Sequence, residues 1–184
     1  ELDPQRDAPG ARVQCRRDGA DRLGEHGRGP AVEQPVRLGV ALDGHPGNRA
    51  LRAARHLRFS HRPEDLKYAM KNSNAIIMNG KEACRITRED DVLAAIKELK
   101  KLGAETVIVT LDVKGSLVAD GEEIFSLPAY KVDVVDTTGG GDSYTAGFVH
   151  AKFRGASTEE AVKFAGAVAA LNIMTPGAST DLPS

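Results

Sequence analysis

From residue 63 onward, short apolar runs alternate with amphipathic stretches, and this alternation restricts the fold more than any other feature of the chain. "AIIMN" (75–79) and "ETVIVTL" (105–111) read as buried strands. Between them "REDDVLAAIKELKKLG" reads as a helix, with acids first, lysines last and Gly103 as its stop. "PEDLKYAMKNS" is a short helix with Pro63 at its start. "SLVADGEEIFSL" reads as a hairpin turning at Asp120-Gly121, "YKVDVVD" as a further strand and "SYTAGFVHAKFRG" as a helix ending at Gly155. "STEEAVKFAGAVAALNI" opens with a capping box, Ser157 and Glu160, and sets Ala161, Phe164, Ala165 and Val168 on one face. Such a pattern predicts an α/β fold whose mostly parallel sheet is covered on both faces, with ligands at the carboxyl ends of the strands. Asn79 and a run of glycines both fall at those ends.

The opening of the chain does not follow this pattern. Before residue 63 every long cationic side chain is arginine; after it lysine dominates, and only Arg85, Arg88 and Arg154 remain. Residues 1–36 scatter Arg, Gly, Asp and Pro without a period of 2 or 3.6, so they bury too little surface to offset the entropy of ordering. They read as a divergent segment, either a disordered arm or a stretch foreign to the rest, such as a shifted reading frame or a fusion. Residues 37–184 read as the domain. "PVRLGVALDGHPGNRALRAARHLRF" (35–59) offers a short strand candidate, a Gly/Pro turn and an Ala/Leu/Arg helix candidate.

At 184 residues the chain is long enough for one domain with a substantial core. Lys and Arg number 25 against 26 Asp and Glu, a formal net charge of -1 that advertises neither a nucleic acid nor a membrane as partner. Aromatic content is low and tryptophan is absent, which speaks against base-stacking platforms. Cys15 and Cys84 lack metal-like spacing; read as two lone thiols, they suit a reducing compartment. No apolar run approaches membrane-spanning length and the N-terminus has no signal-peptide core, so a cytoplasmic protein is expected.

The stretch "VVDTTGGGDSY" (134–144) carries the chemistry. A strand is expected to end at Asp136, the chain to turn through Gly139, Gly140 and Gly141, and a helix to begin near Asp142. Unpaired amides at a helix start, with no side chains in the way, form a concave anion site that suits a phosphate. A carboxylate there would repel the phosphate, so Asp142 needs another task. General base fits: it takes the proton from an attacking hydroxyl while the amides hold the transferring group. The competing reading is a tight turn with Asp142 as a helix N-cap. A Walker loop is excluded because no lysine follows Gly141 before Lys152, and a nucleophile elbow because Thr145 stands where its last glycine belongs.

"DTTGGGDSYTAGF" resembles the C-terminal signature of the ribokinase-like (PfkB) carbohydrate and nucleoside kinases, usually Asp-Thr-Thr-Gly-Ala-Gly-Asp followed by Ser or Ala and Phe. Gly140 stands for the common alanine and Tyr144 for the phenylalanine. "NGKEA" resembles the family's Asn-x-x-Glu motif, which implies that Asn79 and Glu82 help place Mg²⁺, directly or through water. "VTLDVKGSLV" resembles the turn that lines the nucleotide, which implies roles for Thr110 and Gly115, with Asp112 in place of a common glycine. "ALNIMTPGA" resembles the segment near the adenine and makes Asn172 a contact candidate. The resemblance also implies a monovalent-cation site around Asp136 and Thr138.

The implied fold is the ribokinase-like three-layer α/β/α arrangement. The implied activity is ATP-dependent phosphoryl transfer to a hydroxyl of a sugar or related small molecule, with ATP and Mg²⁺ as cofactors. The family's sugar-binding Gly-Gly motif, its substrate-gripping Asp and its β-sheet lid are not recognisable in residues 1–36. A truncated, inactive nucleotide-binding domain and a nucleoside kinase are therefore the alternatives. Family members often dimerise through the lid, which leaves monomer or homodimer open.

Overall fold

The computed structural model describes Ala53–Ala54 and residues 63–177. Its five-stranded sheet has the order β1 (Ala53–Ala54), β2 (Ala75–Asn79), β3 (Thr106–Thr110), β4 (Ser116–Asp120) and β5 (Glu123–Leu127). The first three strands are parallel, joined through α1 (Pro63–Asn72) and then α2 (Gly80–Thr87) and α3 (Val92–Lys101). β4 and β5 continue antiparallel, as a hairpin turning at Gly121 with φ 55°. After the hairpin come α4 (Gly140–Phe153) and α5 (Thr158–Ile173).

Alternation along the strands divides their side chains between two cores. Ile76, Met78, Val107, Val109 and Leu117 face Ala83 and Cys84 of α2 and Val92, Ile96 and Leu99 of α3. Ala75, Ile77, Ile108 and Val118 face Tyr144 and Phe148 of α4 and Ala161, Val162 and Ala165 of α5. The continuous apolar character of β2 and β3 follows from this, because each strand buries both faces. The result is three layers, helices on either side of a sheet.

Helix boundaries follow their chemistry. Asp91 caps α3 by accepting from the Ala94 amide, Lys100 and Lys101 fill its last turn, and Gly103 follows at φ 105°. Ser157 and Glu160 form the expected capping box of α5.

Four expectations are corrected. "YKVDVVD" joins no strand ladder among the described residues, and Val134 and Val135 are exposed. The amides of Val135 and Asp136 are instead satisfied by the Ile173 carbonyl, so the segment is an extended strap over the end of α5. Ala53–Ala54, read as part of a helix, pair in parallel with Ala75 and Ile76, where the open edge of β2 overrides alanine's helical preference. The rest of the 35–59 stretch lies outside the described residues.

Phe164 is exposed and stacks on His150 at 5.7 Å between ring centroids. The buried face of α5 is made instead by Ala161, Val162, Ala165 and Ala170, and α4 approaches it so closely that a Cβ on Gly147 would lie 3.0 Å from the Ala165 Cα. Cys84 is buried and disulfide-bonded rather than a free thiol; its partner lies outside the described residues, and separation along the chain says nothing about approach in space. No described helix is long and apolar enough to cross a membrane.

Candidate active site

The carboxyl ends of β2 and β3 lie side by side, with Asn79 and Thr110 as partners in the ladder. Asn79 caps α2: its Oδ1 accepts from the Glu82 amide at 2.9 Å, and the Asn79 amide donates to Glu82 Oε2 at 3.1 Å. The Asn-x-x-Glu pair is thus a reciprocal capping box, a helix start that also holds a carboxylate at the strand ends. Thr110 donates through Oγ1 to the Met78 carbonyl at 3.4 Å, which fixes the last rung between the two strands.

Beyond Thr110 the chain makes one 3₁₀ turn over Asp112–Lys114 and re-enters the sheet at β4. The Leu111 amide donates to the Gly115 carbonyl at 2.7 Å and the Gly115 amide to the Asp112 carbonyl at 3.0 Å, closing the turn. Gly115 sits at φ 88°, ψ -127°, and a Cβ there would lie 2.0 Å from the Leu127 carbonyl oxygen. Asp112 sits at φ 51°, the left-handed region that glycine enters without a Cβ penalty. The turn forms here with aspartate in the left-handed region, at the position where glycine is usual in the resemblance. Asp112→Gly is expected to raise stability by roughly 0.5–1 kcal/mol, read as a higher urea midpoint; an unchanged or lower midpoint would contradict strain at this position.

The glycine corner differs in register from the expectation: the helix starts two residues before Asp142. Gly139 is the N-cap of α4 at φ 79°, ψ -12°, with no side chain capping it. Gly140 and Gly141 are the first helical residues, and Asp142 is the third. The Gly140 amide turns back to the Thr137 carbonyl at 3.2 Å, and the Ser143 amide closes the first turn on the Gly139 carbonyl at 2.8 Å. Asp142 is thus not the N-cap. Gly140 has a packing role as well: a Cβ there would meet Ile173 Cγ2 at 2.9 Å. Gly141 and Asp142 are exposed at the mouth of the corner.

Asp136 clasps this corner from below. Its Oδ1 accepts from the Thr138 amide at 2.9 Å and its Oδ2 from the Gly177 amide at 3.0 Å, so one carboxylate joins the loop before α4 to the turn after α5. Those bonds, Thr138 first, hold its pKa below the usual aspartate value. The sign follows: the clasp contributes above the unfolded pKa of about 4 and is lost as pH falls through the lower folded value. The stability gap between wild type and Asp136→Asn is expected to close as pH drops below about 4. A gap independent of pH in urea titrations would contradict the clasp. Asn172, buried at 1% exposure, stands just behind, its Oδ1 4.0 Å from the Cβ position of Gly140.

One buried bond joins the two halves of the site. Ser116 Oγ and Tyr144 Oη lie 2.9 Å apart, connecting α4 to the strand that leaves the Gly115 turn. The structure therefore gathers Gly139, Gly140, Gly141, Asp142, Asp136, Thr138 and Asn172 into one corner. Thr110 and Gly115 lie across from it through Ser116, and Asn79 and Glu82 lie at the next strand end. Gly177, Ile173 and the Ser116–Tyr144 pair were not singled out from the sequence; the only signal for them was a tyrosine where phenylalanine is usual.

Together these features define an α/β protein with a side-chain-free helix start, a neighbouring carboxylate and a glycine-bound turn at the ends of its strands. Residues 57–184 match the model of the pfkB family carbohydrate kinases, and the chain belongs to that family. It is 36% identical over 107 residues to aminoimidazole riboside kinase of Salmonella typhimurium, covering 55% of this chain and 34% of that one. Its fold is ribokinase-like. The solved ribokinase of Thermotoga maritima superposes with a TM-score of 0.67 at 28% identity, over 76% of this chain and 48% of that one. The structure of Arabidopsis thaliana ribokinase complexed with ribose and ATP superposes with a TM-score of 0.60 at 32% identity, over 64% and 40%. The chain thus spans less than half the length of each of these relatives.

Proposed function

We propose that this chain carries the nucleotide-binding and catalytic part of a carbohydrate kinase, which transfers the terminal phosphoryl group of ATP to a hydroxyl of a sugar or related small molecule. The observation that carries this reading is the start of α4: Gly139 in the left-handed conformation, two further residues without side chains, then Asp142 in the first turn. The start of this helix suits an anion through its exposed Gly141 and the helix dipole, while the Gly140 amide turns back to the Thr137 carbonyl. Asp142 accepts the proton of the acceptor hydroxyl as the new O–P bond forms and the bond to ADP breaks. Because base and cradle belong to one helical turn, their separation is set before substrate arrives. Thr110 and Gly115 are assigned to the nucleotide; Asn172, at 1% exposure, would act from behind Gly140 rather than by direct contact.

The start of α4 would receive the phosphates and the Glu82 carboxylate a divalent cation, although no group of three or more His, Cys, Asp or Glu that could hold a metal occurs among the described residues. Glu82 with Asn79, and Asp136, are the groups that would hold Mg²⁺, directly or through water; the ion supplies charge neutralisation to the phosphates when bound. Asp136 and Thr138 are also the proposed surroundings of a monovalent cation. A cytoplasmic location is proposed from the kinase reading alone, since the disulfide at Cys84 removes the lone-thiol argument for it.

A second reading is favoured by length. A chain spanning less than half of its relatives is also consistent with a nucleotide-binding domain that lacks an acceptor site. Calorimetry with Mg-ATP, followed by ADP release against a panel of sugars and nucleosides, separates the two. The proposal expects both binding and acceptor-dependent turnover; binding without turnover selects the second reading, and no binding ends both.

A further inference from the structure

We propose that Tyr144 and Ser116 form a positioning pair, whose buried hydroxyl–hydroxyl bond sets the depth of the start of α4, and with it Asp142, against the turn that lines the nucleotide. This deepens the kinase reading above and rests on it. Tyr144 follows Asp142 by two residues, which on a helix places the two side chains about 200° apart. Asp142 therefore faces solvent while the Tyr144 ring enters the core beside Ile77, Ile108 and Val118, at 6% exposure. The phenol reaches through that core to Ser116, itself 4% exposed. Ser116 follows Gly115 directly and pairs with Thr110 across the β3–β4 ladder.

Among the described residues, α4 also packs on the sheet through the apolar side chains of Phe148, Ala151 and their neighbours, and such contacts are non-directional. They hold the helix on the sheet, but none of them is a directional bond between α4 and the strand that leaves the Gly115 turn. A hydrogen bond is directional and short in range, so this one sets a defined distance between α4 and the strand after Gly115. Tyr144 stays un-ionised at any physiological pH, since burial pushes its pKa up to about 12, against a smaller opposing effect of the Ser116 bond. The pair is a fixed strut rather than a switch.

The test compares Tyr144→Phe, Ser116→Ala and the double variant. Each single variant leaves one hydroxyl buried and unsatisfied and is expected to melt below wild type; the double variant leaves none and is expected to recover. Stability and positioning then separate. In the double variant kcat is expected to remain roughly fivefold or more below wild type, with the KM for ATP within about twofold, because misplacement of the base acts on the chemical step. Exchange of the Ser143 amide is expected to be faster than in wild type, with amides in the middle of α5 unchanged.

Ser116→Thr, which keeps the hydroxyl, is expected to retain kcat. A double variant with wild-type kcat and wild-type Ser143 exchange overturns the proposal. Should the wild-type chain show no turnover, the kinase reading fails, and the exchange comparison alone decides the strut: unchanged Ser143 exchange in the double variant ends it.

Discussion

Asp142→Asn is expected to lower ATP turnover by roughly 10²–10⁴-fold, the span of a lost general base, while Mg-ATP still binds. Asparagine is nearly isosteric, and at the third position of α4 it leaves the first turn, closed by Ser143 on Gly139, undisturbed. It cannot accept the acceptor's proton. The first turn also loses a negative charge that favours the helix dipole, a smaller effect of about 0.3–1 kcal/mol on stability. ADP release gives kcat and calorimetry gives the affinity. A variant with wild-type kcat removes Asp142 as the base, and one that no longer binds nucleotide assigns it to binding instead.

Gly115→Ala is expected to be the most destabilising single-methyl change in the described chain, at roughly 3–5 kcal/mol. The added Cβ would stand 2.0 Å from the Leu127 carbonyl oxygen and 2.6 Å from the Pro128 carbonyl carbon, both backbone atoms that cannot swing aside. Relief would require parting the β4–β5 pairing, in which Ser116 meets Leu127, or opening the Leu111–Gly115 bond that closes the turn. Gly121→Ala is the control. Its φ of 55° is also left-handed, but nothing lies within 4 Å of a Cβ there, so only the backbone preference of about 1 kcal/mol applies. Equal losses at the two glycines in urea unfolding would contradict the steric account.

These two positions also show what could be read in the sequence and what could not. The glycine corner was legible as a turn into a helix because consecutive glycines mark it locally, although the helix begins at Gly140 rather than near Asp142. The strands β2 and β3 were legible because burial on both faces leaves an unbroken apolar run. Asn79 and Glu82 were legible as a pair but not as a reciprocal cap, since a capping box and a ligand pair share one spacing.

Long-range features had no local signature. The strap at 130–136 has the composition of a strand, yet its amides at Val135 and Asp136 go to a carbonyl more than thirty residues later in the chain, at Ile173. Phe164 has the helical spacing of a core residue, and only the structure shows it exposed beside His150 while α4 and α5 approach closely at Gly147 and Ala165. Gly177 offers no motif. Its link to Asp136 exists because the end of α5 returns to the start of α4.

The central claim is that the side-chain-free start of α4 faces the terminal phosphate of a nucleotide. Amide chemical-shift mapping of the full chain during titration with Mg-ATP tests it most directly, since glycine amides occupy a distinct spectral region. The largest saturable shifts are predicted at Gly139, Gly140, Gly141 and Asp142, with smaller ones at Thr110 and Gly115. Saturable binding that leaves those four amides unmoved, or no shifts anywhere, would contradict it.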